Sequence, residues 1–122
     1  MKTLIFAFMV VFLSMPAAMA QSVDGKGVYC PSSTHFLGWW FEAGLVTPYF
    51  IHKLELRKSR ESGRYYDSGL HELRVPGYSK RLDRRTLVLK NEIDGSADQC
   101  VLVHSLEELT QKIENQIDAI NH

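Results

Sequence analysis

A chain of 122 residues with 14 basic and 14 acidic side chains carries no global charge that points to nucleic acid. The first 20 residues have the form of a leader: Lys2, an apolar run from Leu4 to Leu13, the breaker Pro16 and a small-x-small site at Ala18 to Ala20. Cleavage there would leave Gln21 to His122, enough for one small domain with a modest core and not for two.

The apolar run of the leader is too short to span a bilayer, which takes roughly 20 residues, so the mature chain is expected to have no transmembrane segment and to be exported, periplasmic or secreted. Both cysteines, Cys30 and Cys100, lie in the exported part. An even count in an oxidising compartment predicts one disulfide between them.

Along the chain, short β-branched and aromatic runs separated by turn residues predict an antiparallel meander or partly closed barrel, mainly β. Gly27 to Cys30 reads as the first strand, stopped by Pro31. Phe36 to Phe41 reads as the next, turning through a three-residue loop, Glu42-Ala43-Gly44, with Gly44 left-handed. Leu45 to Ile51 returns, and Pro48 inside it predicts an edge strand or a bulge, because proline has no N–H to donate. His52 to Leu56 alternates with Leu54 and Leu56 on one face. Turns follow at Ser59 to Gly63 and Asp67 to Gly69, then a strand from Leu70 to Val75 that ends in Pro76-Gly77, a type II pair. Leu82 to Leu89 reads as a hairpin in which Asp83 bonds back to the chain near Arg85 or Thr86. Asp94 to Ser96 turns into a last strand, Gln99 to His104. From Ser105 the period changes: Ser105 and Glu108 form a capping box, and Leu106, Leu109, Ile113, Ile117 and Ile120 recur at helical spacing to residue 120.

The adjacent Trp39 and Trp40 pose a problem, since neighbouring strand residues face opposite ways. Either both faces of the strand are covered, with the helix lying on one, or one indole is exposed and available to a ligand. The other concentration of binding chemistry is basic and aromatic. Arg57, Lys58, Arg60 and Arg64 surround Tyr65 and Tyr66, and Lys80, Arg81, Arg84 and Arg85 surround Tyr78. Arginine holds phosphate or carboxylate in two-point contacts and tyrosine offers a stacking face. The candidate ligand-binding residues are therefore Trp39, Trp40, Tyr65, Tyr66, Arg84 and Arg85, with an anionic envelope polymer or an acidic protein surface as partner.

For catalysis there is no motif. The histidines show no metal-ligand spacing, the serines after Pro31 form no nucleophile elbow with His35, and no catalytic residue, metal or cofactor is assigned. A small hydrolase would have to gather His52, His71 or His104 beside an acid through the fold.

The segments Gly27 to Cys30 (G-x-Y-C), Trp40 to Val46 (W-F-E-x-G-x-V), Leu82 to Leu89 (L-D-R-x-T-L-x-L) and a late cysteine followed by a helix resemble an uncharacterised family of small exported bacterial β-rich proteins. This resemblance implies the architecture and no catalytic residue. In size and class the chain is also similar to small periplasmic β-barrel inhibitors of lysozyme. The sequence thus predicts a non-enzymatic exported binding or accessory module, with a secreted hydrolase and an inhibitor-like module as alternatives.

Overall fold

The computed structural model describes residues 23–67 and 71–121. The leader reading, most of the turn at Asp67 to Gly69 and Leu70 lie outside the described residues. Among these residues, eleven short strands form two antiparallel sheets, with a long helix at the C-terminal end. Sheet A contains β1 (Lys26–Tyr29), β2 (Gly38–Glu42), β3 (Leu45–His52), β4 (Glu55–Lys58), β5 (Gly63–Arg64) and β11 (Val101–Val103). Its order is β11-β1-β2-β3-β4, with β5 pairing β3 as well. Sheet B is a plain meander of β6 (Tyr66–Asp67), β7 (Glu72–Val75), β8 (Lys80–Asp83), β9 (Val88–Asn91) and β10 (Ala97–Gln99). No barrel closes, because the single strand expected from Gln99 to His104 is divided: β10 ends sheet B, β11 begins at the far edge of sheet A, and Cys100 sits at the crossing.

Sheet A is covered on both faces. On one, Val28, Trp39, Phe41 and Val46 meet Leu73, Val75, Leu82 and Leu89 of sheet B in the main core. On the other, Leu109, Ile113 and Ile117 of the helix α1 (Leu106–Asn121) pack with Leu37, Tyr49 and Val103, and with the half-buried Trp40, Tyr29, Ile51 and Leu56. The pleat thus sends Trp39 to sheet B and Trp40 to the helix. The helix begins as its sequence predicts. Ser105 Oγ accepts the N–H of Glu108 at 3.0 Å, while Glu108 Oε1 accepts the N–H of His104 at 2.8 Å, one residue before the cap.

The disulfide between Cys30 and Cys100 ties the end of β1 to the crossing between sheets, closing a separation of 70 residues; both cysteines are fully buried.

Several turns differ from expectation. Glu42 pairs with Leu45, so the β2–β3 loop has two residues rather than three, and both take positive φ: Ala43 (54°) and Gly44 (79°). The β3–β4 turn falls at Lys53 and Leu54, which also hold positive φ, 52° and 61°. Neither residue type favours that region, at a cost of roughly 1–2 kcal/mol each, which is why Leu54 reads as strand in the sequence. Pro48 lies on an interior strand: β3 has β2 on one side and β4 and β5 on the other. Its missing donor is tolerated because β4 pairs with residues 49–52 and β5 with 45–46, so Pro48 faces the break between them, where its carbonyl accepts the N–H of Ser59 at 2.9 Å. Pro76–Tyr78 forms a 3-10 turn in place of the type II turn, and Ser79 rather than Gly77 takes the left-handed conformation.

Candidate functional site

The basic and aromatic residues of the sequence are sorted by the fold into core, paired surface and an open groove. Trp39 is 1% exposed and makes edge-to-face contacts with Phe36 and Tyr78 at 5.3 Å each, so its ring is spent on the core. Trp40 is half-buried beneath the helix, where its ring covers Gly27, its register partner on β1. Tyr65 packs edge-on to Phe41 at 5.1 Å and donates its hydroxyl to Asp24 at 3.0 Å. Burial, and then Asp24, push its ionisation upward. Tyr66 is exposed at 51%.

Arg84 and Arg85, adjacent in sequence, are drawn apart by the β8–β9 turn. Arg84 bridges to Asp67 at 3.0 Å with its side chain only 15% exposed; Arg85 stays in solvent, 3.8 Å from Asp83. On the outer face of sheet B, Arg74, Arg81 and Lys90 stand opposite one another on β7, β8 and β9. Like charges so placed repel. Glu92 compensates by reaching both Arg74 (3.3 Å) and Arg81 (3.4 Å), and Glu72 lies 3.6 Å from Arg81.

The groove lies beside the β3–β4 hairpin, with a volume of about 820 Å³. The pairing of Phe50 with Arg57 brings an aromatic floor and a guanidinium together. Phe36 continues the floor, its ring 6.0 Å from Phe50 and 4.9 Å from His35. Lys58 and Arg60 complete the cationic rim, with His52 beside them, and no Asp or Glu is among its described lining residues. Arg57 has an ion pair with Glu55 at 2.7 Å; Lys58 and Arg60 have none with any described residue.

Arg60 stands on a loop that is held firmly for its length. The Tyr78 hydroxyl donates to the Glu61 carbonyl at 2.7 Å, Thr47 and Ser62 share a hydrogen bond of 2.7 Å, and Ser59 N–H reaches Pro48. A loop pinned from both sheets keeps its cation at the groove at little further entropic cost on binding.

Arg57, Lys58 and Arg60 were visible in the sequence as a basic run, but Phe36, Phe50 and His52 were not connected to it. The signal that would have joined them is the hairpin register, and that depends on a Lys-Leu turn with no turn-forming residue in it. His35 and His52 share the groove, whereas His71 precedes β7 in sheet B and His104 follows β11, at the opposite edge of sheet A from β4. Among the described residues no three His, Cys, Asp or Glu side chains gather in a way that could hold a metal ion. Comparison with protein-family models, with curated proteins and with solved structures finds no match to this chain.

Proposed function

We propose that this protein is an exported, non-enzymatic binding module of the cell envelope that holds an anionic polymer or an acidic protein segment in the β3–β4 groove. The observation that carries this reading is the groove's composition: Arg57, Lys58, Arg60, His35 and His52 around Phe36 and Phe50, with no described carboxylate in the lining. Arginine and lysine supply charge-assisted hydrogen bonds to carboxylate or phosphate, and an aromatic floor takes the apolar face of a sugar ring or side chain. The leader-like N-terminus and the disulfide are in keeping with export to an oxidising compartment. The family of small exported β-rich proteins that the sequence resembles is the kinship that accompanies this reading.

A hydrolase has less behind it. His35 and His52 share the groove, but a general base needs an orienting acid and a nucleophile within hydrogen-bond reach, and the lining offers no acid. The inhibitor-like reading rests on size and class alone.

The test is a titration with a polyuronate, set against a neutral glucan, for wild type and Arg60→Glu. Arg60 is exposed, and the substitution is expected to weaken polyuronate binding by about tenfold or more while leaving the unfolding temperature unchanged. Equal binding of both polymers, or equal affinity of both proteins, would overturn the assignment of the groove.

A further inference from the structure

Among the described residues, the outer side of β4 is an unpaired sheet edge. β4 pairs with β3 on its inner side and terminates sheet A. A two-residue hairpin closes on a hydrogen-bonded pair, here His52 and Glu55. The alternation makes Phe50 and Arg57 the next such pair, and Ser59 N–H bonding to Pro48 continues it. Glu55 and Arg57 therefore turn their backbone groups toward β3. Leu56 and Lys58 turn theirs outward, where no described strand meets them.

We propose that a second copy of this chain pairs antiparallel with this edge, with Leu56 of one copy opposite Leu56 of the other on a two-fold axis. In that register Glu55 of each copy stands opposite Arg57 of the other, giving two cross-strand pairs of opposite charge. Lys58 of each copy stands opposite Leu54 of the other, on the side of the strand that carries Leu56. On that side lies a second groove, of about 510 Å³, lined by Leu54, Leu56, Glu114 and Asp118 among others. Neither Glu114 nor Asp118 has an ion pair with a described residue, so an incoming ammonium meets two uncompensated carboxylates.

Competing registers are worse. A shift that puts Leu56 opposite Lys58 sets Arg57 against Arg57, and a shift by a single residue mismatches the hydrogen-bonding positions. The charges that discourage promiscuous pairing at an open edge thus favour one particular partner. The arrangement is isologous, so it closes at two copies. It shares Arg57 and Lys58 with the basic groove, so association is read with no anionic ligand present.

The test uses protein produced from the full chain in an oxidising compartment and sedimentation equilibrium at low ionic strength, since screening weakens exposed pairs. Wild type is expected to form a dimer. Glu55→Arg and Arg57→Glu, each alone, place like charges opposite one another and are expected to weaken association by about tenfold. An equimolar mixture of these two variants restores opposite charges at every position and is expected to dimerise as wild type does. A wild type that stays monomeric at all concentrations, single variants that dimerise unchanged, or a mixture that stays monomeric would each overturn the proposal. Far-ultraviolet circular dichroism confirms that each variant is folded before it is counted.

Discussion

Gly27 and Gly38 occupy the helix-facing side of sheet A, and each is there for what it lacks. A Cβ on Gly38 would come within 2.7 Å of Leu109 and 3.0 Å of Ile113, both fully buried and without room to retreat. A Cβ on Gly27 would lie 2.7 Å from the Trp39 carbonyl and 2.9 Å from the Trp40 ring, so a backbone atom would have to move. Leu37 adds to the crowding. Its N–H bonds to the carbonyl of Tyr49, whose register partner is Gly38, so two residues oppose one as in a β-bulge and the strand bends beneath the helix. Gly27→Ala is expected to destabilise by about 1–3 kcal/mol. Gly77→Ala, with no atom within 4 Å of the added carbon and no positive φ to strain, should stay within about 0.5 kcal/mol of wild type. Urea midpoints of the two variants check this; equal losses would show that the contact at Gly27 is relieved by rearrangement. Two glycines inside strand-like segments were visible in the sequence, but their reason was not, because it lies in Leu109 and Ile113 of the distant helix for Gly38 and in the paired strand β2 for Gly27.

The β8–β9 and β9–β10 loops of sheet B are one device used twice. In the first, Asp83 Oδ1 accepts the N–H groups of Arg85 (2.8 Å) and Thr86 (3.3 Å), and Leu87 N–H returns to the Asp83 carbonyl at 2.7 Å. In the second, Asn91 Oδ1 accepts those of Ile93 (2.8 Å) and Asp94 (3.3 Å), and Gly95 N–H returns to the Asn91 carbonyl at 2.9 Å. The fifth residue is left-handed in both: Gly95 at no steric cost, and Leu87, with φ of 60°, because its side chain packs against the core. The backbone N–H of Arg85, reinforced by that of Thr86 and by the Arg85 charge, holds the Asp83 carboxyl below its ordinary range. A lowered folded value means that the ionised form is the one the fold prefers. Its stabilisation is complete above the unfolded carboxyl value, near 3.9, and is lost as pH falls through the folded one. Asp83→Asn keeps an acceptor for the turn and removes that titration, whereas Asp83→Ala removes both and should cost about 1 kcal/mol at neutral pH. Urea unfolding of both variants at neutral pH and near pH 3 distinguishes them; a wild type whose acid sensitivity matches that of Asp83→Asn would show that this carboxylate contributes nothing. The first loop was legible because Asp followed by two polar residues has only local partners to find. The Lys53-Leu54 turn was not, because its positive φ values are imposed by the pairing on either side of it.

For the whole molecule the disulfide is the widest-ranging tie. In the chain-entropy picture, closing a separation of 70 residues stabilises by about 4 kcal/mol, a large share of the 5–15 kcal/mol usual for a domain. Replacing both Cys30 and Cys100 by serine should therefore lower unfolding free energy by about that amount, read from denaturant curves; a loss below about 1 kcal/mol would mean that sheet pairing around Cys100 already restrains the unfolded chain. Local chemistry determined much of this protein by itself: the strand and helix classes, the capping box at Ser105, the Asp83 turn and, with only two cysteines present, the pairing of Cys30 with Cys100. Periodicity also required that the apolar stripe of the helix be covered, and so that some strand be buried on both faces, which accommodates Trp39 and Trp40. Only the tertiary structure decided that the meander breaks into two sheets at Cys100, that Arg84 folds onto Asp67 while Arg60 stays open, and that Phe36, Phe50 and His52 join the basic run in one groove. Those outcomes depend on register, and register is set by pairs of residues far apart in the chain, whose encounter no local pattern records.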